Sequence, residues 1–286
     1  MADGRILEYL VEGPPDGVPL VMHHGTPSAA VRYAPMVEAA TAQGLRLLLH
    51  SRPGYAGSTA RPGRRVADVA TDVVALLDAV GADSFVTAGW SGGGPHALAC
   101  AALLPGRCRA AATIAGVAPY RAEGLDWLAG MGEENIAEFG AAAQGVPQLD
   151  AFLAQMAGDL ADVRAEDVVA AFGDLLSEVD RTALVGGFAD YLAESSRSAV
   201  SAGIDGWRED DLAFVADWGF RLDDLVVPVS IWQGDQDRMV PVAHGRWLSG
   251  HLAGAETHLL PGEGHLSITD NFATIVAGLA RAAGNS

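Results

Sequence analysis

The sequence places one serine between glycines, at Gly89-Trp90-Ser91-Gly92-Gly93. A strand-like run over residues 85–88 precedes this serine and a helical pattern follows it, which is typical of a nucleophile elbow. The tight turn from strand to helix needs small neighbours, and it lifts the serine hydroxyl above the sheet. The helix N-terminus also lets the backbone N–H of Gly92 face a developing oxyanion. The pattern therefore predicts Ser91 as a nucleophile and Gly92 as an oxyanion donor.

A serine hydroxyl is a weak nucleophile unless a base takes its proton, and the sequence offers eight histidines. His265 ends the run Pro261-Gly262-Glu263-Gly264-His265, which directly follows the last predicted strand. Because this loop belongs to the carboxyl edge of the sheet, as Ser91 does, His265 is the predicted base. Five other histidines receive structural roles: His24 holds its own loop, His96 turns away from the serine, His258 packs, and His244 and His251 lie at the surface.

Two aspartates are candidates for the group that orients the base and stabilises its charged form. Asp235 and Asp237 both follow the predicted strand 226–232, again at the carboxyl edge. The chain order serine, aspartate, histidine agrees with the order found on open α/β sheets. Aspartate also favours turns, so one of the two can serve the turn alone. The residues by themselves leave the choice between them open.

Strand-like and helical segments alternate over the first 120 residues, which predicts a parallel sheet with helices on both faces. Strands are predicted at residues 5–11, 20–24, 45–50, 85–88 and 110–115. Helices are predicted at residues 66–80, with Gly81 as a cap, and at 95–104. After residue 224 the pattern resumes, with strands at 226–232 and 256–260 and helices at 242–252 and 271–283.

The segment between these two parts, residues 121–224, has helical patterns and no strand-like run. Helices are predicted there at 135–143, 149–160 and 167–179. The segment holds 22 acidic residues against six arginines, whereas the rest of the chain is nearly balanced. We expect solvated acidic faces that keep the protein soluble. A second hypothesis is that some carboxylates face the mouth of a pocket and favour cationic or amine-bearing substrates.

Composition excludes several classes of function. The net charge of −18 would repel a phosphate backbone, so nucleic acid is not an expected partner. All 18 basic residues are arginine, which excludes lysine Schiff-base and P-loop chemistry. The two cysteines, Cys100 and Cys108, are expected as buried small side chains. With no signal-peptide pattern and no long apolar run, a cytoplasmic location without membrane contact is expected.

The motifs resemble those of the α/β-hydrolase superfamily, in its lidded serine-hydrolase branch with an H-G-x-P oxyanion loop. His24-Gly25-Thr26-Pro27 is similar to that loop and Gly89–Gly93 to the elbow. Residues 52–58 are similar to the turn after the next strand, although Ser51 stands where the family usually has aspartate. Gly234-x-x-Asp237-x-x-Val240-Pro241 is similar to the acid loop, and Gly264-His265 to the histidine loop. The resemblance covers the chain outside residues 121–224.

This resemblance implies an α/β-hydrolase fold, a mostly parallel sheet with helices on both faces and a helical cap insertion. The core is expected at residues 1–120 and 225–286, and the cap at 121–224. The acid loop selects Asp237 over Asp235, and the oxyanion loop supplies the backbone N–H of Thr26 as second donor. We therefore expect hydrolysis of a small ester-type substrate through an acyl-enzyme, by a triad of Ser91, Asp237 and His265, with no cofactor and no metal.

Alternatives remain open for the substrate. The candidate substrate-binding residues are Trp90, Glu133 and Glu134. An aminopeptidase similar to proline iminopeptidases would use acidic cap residues to hold the free amine of its substrate, and Glu133 and Glu134 would suit that role. Against it, that family has a tryptophan after the nucleophile, whereas Trp90 precedes Ser91. Carbon–carbon bond hydrolysis and cofactor-free perhydrolysis use the same triad. A non-catalytic ligand-binding protein on the same scaffold is a further alternative, and the oligomeric state is not predicted.

Overall fold

Short apolar runs form seven strands of a single sheet in the computed structural model, which describes residues 1–284. The strands are β1 (Tyr9–Glu12), β2 (Val18–His23), β3 (Leu45–His50), β4 (Phe85–Trp90), β5 (Cys108–Ile114), β6 (Val229–Gly234) and β7 (Glu256–Leu260). Their order across the sheet is β1-β3-β2-β4-β5-β6-β7. Only the pairing of β1 with β3 is antiparallel. The predicted mostly parallel sheet is confirmed.

The helices cover both faces of this sheet, because the central strands bury side chains on both sides. Successive residues of β3 show the alternation: Leu47 and Leu49 belong to one apolar cluster and Leu48 to the other. The helices are α1 (Ala34–Ala42), α2 (Val69–Ala79), α3 (Gly93–Leu103), α4 (Glu133–Gln144), α5 (Val146–Leu160), α6 (Val168–Phe172), α7 (Glu178–Ala183), α8 (Gly187–Val200), α9 (Asp205–Val215), α10 (Val242–His251) and α11 (Phe272–Ala282).

Several sequence predictions of elements are wrong in extent, and three of them differ for a clear local reason. The strand predicted at 5–11 begins only at Tyr9, because the backbone of residues 6–8 bonds to the turn at Ser58 and Thr59 instead. The strand predicted at 226–232 begins at Val229, after Pro228, which lacks an N–H for pairing. The helix predicted at 167–179 breaks at Gly173, whose φ is +47°.

Helices α4–α9 all lie between β5 and β6, and residues 121–224 form no strand. This segment, called the cap below, has an apolar cluster of its own that includes Leu149, Leu153 and Trp207. Tyr55, from the turn after β3, packs into the same cluster. Whether the cap is a separate domain with those boundaries stays a prediction. Within residues 1–284 no helix combines the length and apolar character needed to cross a bilayer.

The strand order creates a crevice at the carboxyl edge of the sheet. From β2 the chain first moves outward to β3, and then returns to place β4 on the other side of β2. The loops after β2 and β4 therefore lead in opposite directions, and ligands of open α/β sheets bind at such switch points. The H-G-x-P loop follows β2 and the serine elbow follows β4.

Candidate active site

Ser91 lies in the sharp turn between β4 and α3. Its φ is +56°, the left-handed region that costs a non-glycine residue free energy and that occurs at functional sites. Two hydrogen bonds hold this conformation: the Ser91 N–H donates to Ile114 O at 2.8 Å, and the Gly94 N–H donates to Ser91 O at 2.9 Å. A Cβ at Gly89 would overlap the backbone carbonyl of Gly93, so the turn needs glycine there.

The loop after β2 lies against the elbow. A Cβ built on Gly25 would be 3.4 Å from Ser91 Cβ, and one on Gly92 would be 2.5 Å from Thr26 Oγ1. Among residues 1–284, no backbone–backbone hydrogen bond occupies the N–H of Thr26 or of Gly92. Two backbone donors beside a serine hydroxyl match the requirements of an oxyanion hole.

A buried ion network holds the loop after β2. Arg52 donates to the carbonyls of His24 and Gly25 at 2.6 and 2.8 Å, and to Thr26 Oγ1 at 2.9 Å. Asp210, from cap helix α9, accepts from Arg52 Nε at 3.0 Å and from Thr26 Oγ1 at 2.8 Å. Burial alone would raise the pKa of Asp210, but Arg52 and Arg64 hold it well below its usual range. An ionised carboxylate of the cap thus fixes the loop that carries Thr26.

Asp237 and His265 form a buried pair at the same edge of the sheet. His265 Nδ1 lies 2.8 Å from Asp237 Oδ2, and the two side chains are 2% and 0% exposed. Asp237 Oδ1 accepts the backbone N–H groups of Met239 and Val240 at 2.9 and 2.8 Å, so its orientation is fixed. Within the described residues no hydrogen bond joins the Ser91 hydroxyl to His265, and such bonds are often long until substrate binds.

The electrostatics of this pair favour a charged histidine. Burial opposes the imidazolium, but the charge of Asp237 and its hydrogen bond outweigh burial and raise the pKa of His265. Burial also raises the pKa of Asp237, while His265 and the N–H of Val240 lower it. A base that gains a proton next to a buried carboxylate is stabilised in its charged form, as general-base catalysis requires.

Asp235 has a different position, although it precedes Asp237 by only two residues. It is exposed, and Oδ1 accepts the Gly262 N–H at 2.8 Å and the Gln236 amide at 3.0 Å. These hydrogen bonds hold one turn against another, and within residues 1–284 the Asp235 carboxylate forms no hydrogen bond with a histidine. The structure brings Asp237, and not Asp235, to His265.

Asp180, from the cap, binds the loop that carries His265. Its carboxylate is fully buried and accepts three consecutive backbone N–H groups, of His265 at 3.2 Å, Leu266 at 2.7 Å and Ser267 at 3.1 Å. Ser177 Oγ donates to the same carboxylate at 2.7 Å. These four hydrogen bonds fix the backbone of the histidine loop relative to α7. The cap therefore fixes both the loop after β2, through Asp210, and the histidine loop, through Asp180.

A cavity of about 360 Å³ opens from Ser91 toward the cap. Core residues at its floor include Thr26, Ser91 and Gly92, and cap helices supply the rest of the wall. Its acidic lining residues are Glu134, Glu138, Asp159 and Asp211, and none of its lining residues is basic. In residues 1–284 no group of three or more histidine, cysteine, aspartate or glutamate side chains is arranged to hold a metal ion.

The three candidate substrate-binding residues have separate positions. Glu134 lines the cavity, and burial together with nearby Glu138 raises its pKa to about 7. Glu133 is exposed at the start of α4 and does not line the cavity. Trp90 lines a second cavity of about 330 Å³ instead, and its indole N–H donates to His265 O at 3.1 Å. Only Glu134 of these three can contact a ligand beside Ser91.

Comparison with known proteins identifies the family. The model of the alpha/beta hydrolase fold family matches residues 18–272. The chain belongs to this family. A structure with similar fold over nearly the whole chain is an alpha/beta hydrolase fold protein from Nakamurella multipartita, 26% identical, with a TM-score of 0.64 and coverage of 97% of this chain and 96% of that one.

Two curated relatives of this alpha/beta hydrolase match over shorter stretches. A non-heme chloroperoxidase of Streptomyces lividans is 35% identical over 121 residues, which is 41% of this chain and 44% of the relative. Epoxide hydrolase B of Mycobacterium tuberculosis is 29% identical over 133 residues, which is 44% of this chain and 36% of the relative. The matches thus span less than half the length of either relative.

Sequence reasoning missed several buried polar residues of this alpha/beta hydrolase. The acidic cap is not a wholly solvated surface, because Glu138, Asp180, Asp210 and Asp211 are buried. The sequence signal for these buried carboxylates was the adjacent pair Asp210-Asp211 on an otherwise amphipathic helix. The expectation that His244 is exposed is also wrong: it is fully buried, with ring nitrogens 3.1 Å from the Ala118 N and 2.9 Å from Trp127 O.

Proposed function

We propose that the protein is a serine hydrolase that cleaves a small carboxylic ester through an acyl-enzyme. The observation that carries this proposal is the buried Asp237–His265 pair, which lies at the same edge of the sheet as a serine with φ of +56°. The backbone N–H groups of Thr26 and Gly92 support it, since they lie beside that serine and bond to no backbone carbonyl of residues 1–284. A serine in the elbow also favours acyl transfer over epoxide opening, for which this fold uses aspartate.

The proposed residues perform two half-reactions. Ser91 Oγ attacks the ester carbonyl while His265 takes its proton, and the N–H groups of Thr26 and Gly92 stabilise the oxyanion. The intermediate collapses, and the alcohol leaves with the proton from His265. A water molecule then attacks the acyl-enzyme, His265 takes one of its protons, and the carboxylic acid is released as Ser91 recovers its hydrogen. Asp237 stabilises the imidazolium in both halves.

The experiment compares wild type with Ser91→Ala. A fluorophosphonate probe should modify wild type once, at Ser91, and p-nitrophenyl acetate should be hydrolysed. Ser91→Ala should lose the label and at least roughly a thousandfold in kcat, because the triad acts as a unit. Labelling at another residue, or turnover retained in Ser91→Ala, would contradict the proposal. Wild type that neither labels nor hydrolyses would favour the non-catalytic alternative.

A second candidate activity is perhydrolysis, which the similarity to a relative named non-heme chloroperoxidase favours. Here hydrogen peroxide replaces water in attacking the acyl-enzyme, so that a peracid leaves instead of a carboxylic acid. The chemistry needs the same three residues and no further group. The measurement is peracid formation from an ester and hydrogen peroxide, which must also disappear in Ser91→Ala.

A further inference from the structure

The cavity beside Ser91 contains a pair of carboxyl groups that the proposed hydrolysis does not use. Glu138 on α4 and Asp211 on α9 both line it, and these residues are 6% and 0% exposed. Trp207 donates its indole N–H to Glu138 Oε1 at 2.6 Å, which fixes one end of the pair. The two carboxyl groups come from helices that pack against each other, so their approach is a property of the cap fold.

Asp211 has no hydrogen-bond donor for its charged form. Within the described residues, both of its carboxylate oxygens are buried and neither has a partner other than the neighbouring carboxyl group. A buried polar group without a partner costs free energy, and natural structures rarely keep one without a reason. Because Asp211 lines a ligand-sized cavity, a donor supplied by a ligand would satisfy it.

The surroundings of the pair determine the sign of the charge that this ligand carries. The cavity adds the carboxyl groups of Glu134 and Asp159 to those of Glu138 and Asp211, with no basic residue in the lining. Arg64 lowers the pKa of Asp211, but its guanidinium bonds to Asp210 at 2.6 Å. Burial, followed by the charge of Glu138, raises the pKa of Asp211 well above its usual range. A cation placed beside the two carboxyl groups would therefore stabilise their charged forms.

We infer that Glu138 and Asp211 bind the protonated amine of an amine-bearing substrate. A primary ammonium group offers three donors, which suits the unpartnered oxygens of Asp211, whereas an alcohol offers one. Glu134 adds a further carboxyl group on the same wall. This inference rests on the proposed function, since it assigns the substrate class of the cavity that contains Ser91. Under this inference Glu138 and Asp211 are substrate-binding residues, whereas Glu133 and Trp90, which do not line the cavity, are not.

The test measures binding apart from catalysis. Straight-chain primary amines and alcohols of equal length are titrated into the Ser91→Ala protein by calorimetry, in a buffer without amines. The same compounds are tested in wild type as competitive inhibitors of p-nitrophenyl acetate hydrolysis. We expect the amine to bind at least roughly tenfold more tightly than the matched alcohol, as charge-assisted hydrogen bonds in a buried site provide. Equal affinity of amine and alcohol would overturn the inference.

Isosteric variants locate the site. Glu138→Gln and Asp211→Asn should each remove most of the preference for the amine, while the affinity for the alcohol stays within about twofold. Glu133→Gln is the matched control, because it removes the same charge from the same helix at an exposed position outside the cavity. A preference that survives both cavity variants, or one that falls equally in Glu133→Gln, would contradict a direct contact.

Salt distinguishes a direct contact from a general attraction by the acidic cap. Buried charge pairs are screened little, while charges across solvent are screened strongly, since the Debye length falls from about 10 Å at 0.1 M to about 3 Å at 1 M. The amine preference should therefore persist at high salt, and its loss there would exclude the buried site. Because these titrations use Ser91→Ala, they can succeed when fluorophosphonate labelling of wild type fails, and the two proposals fail separately.

Discussion

Asp237 and Asp235 lie in one loop, and the structure gives them opposite environments. Asp237 is buried and bonds to His265, whereas Asp235 is exposed and bonds to the turn at Gly262. Asp237→Asn should lower kcat/KM by on the order of a thousandfold, because the amide neither stabilises the imidazolium nor holds the required tautomer. Asp235→Asn should change it by less than about threefold, since its contacts are at the surface. Steady-state kinetics on both variants measure the difference, and equal losses would contradict the assignment of Asp237.

At the scale of elements, the short helix α7 acts on the base through Asp180. Its carboxylate accepts three backbone N–H groups of the histidine loop, and its charge contributes to the raised pKa of His265. Because the base must be neutral to accept a proton, activity should fall in acid with a midpoint above the ordinary value of about 6.5. Asp180→Asn should move this midpoint to lower pH and reduce kcat by roughly tenfold, through poorer placement of the base.

The control for Asp180 is Glu178→Gln, which removes the same charge from the same helix at an exposed position. The pH dependence of kcat/KM is the deciding measurement. If Asp180→Asn lowers the melting temperature but leaves the acid midpoint in place, Asp180 has only a structural role. A positioning role requires the midpoint to move in Asp180→Asn and to stay in Glu178→Gln.

At the scale of the whole molecule, buried histidines make stability depend on pH. Burial, with the charge of nearby Arg52, lowers the pKa of His50 and His96 to about 3. Burial also lowers the pKa of His23 and His24 well below the usual range. The unfolded chain would bind protons at these residues below about pH 6.5, so their contribution is present above that pH and is lost as pH falls. At about pH 5, each histidine that stays neutral in the folded protein lowers the free energy of unfolding by about 2 kcal/mol relative to its value above about pH 6.5.

The raised pKa values of Glu138 and Asp211 act in the opposite direction, because the folded state then holds the extra protons. We therefore expect the melting temperature to fall between about pH 7 and about pH 5, and to fall more steeply in the double variant Glu138→Gln with Asp211→Asn. Thermal unfolding followed by circular dichroism at both pH values provides the measurement. A melting temperature that rises toward pH 5 in the double variant would show that the histidines are not held neutral.

The sequence by itself determined the features that depend on neighbouring residues. The elbow around Ser91 needs glycines at fixed offsets, and the strands β3 and β7 have the predicted bounds. The alternation of strands and helices was enough to predict the parallel sheet and its two covered faces. These features are local, so the chain pattern encodes them directly.

Only the tertiary structure decided what joins distant segments. From the residues alone, Asp235 and Asp237 were equal candidates, and the fold brings Asp237 to a histidine 28 positions later. Asp180 lies 85 positions from His265 and Asp210 lies 158 positions from Arg52, so no spacing pattern predicts either contact. The cap looked like a solvated acidic surface because net charge is a sum over the segment. Burial is decided instead by packing. In the folded protein Asp180 and Asp210 hold the loops of the site, and Glu138 and Asp211 line its cavity.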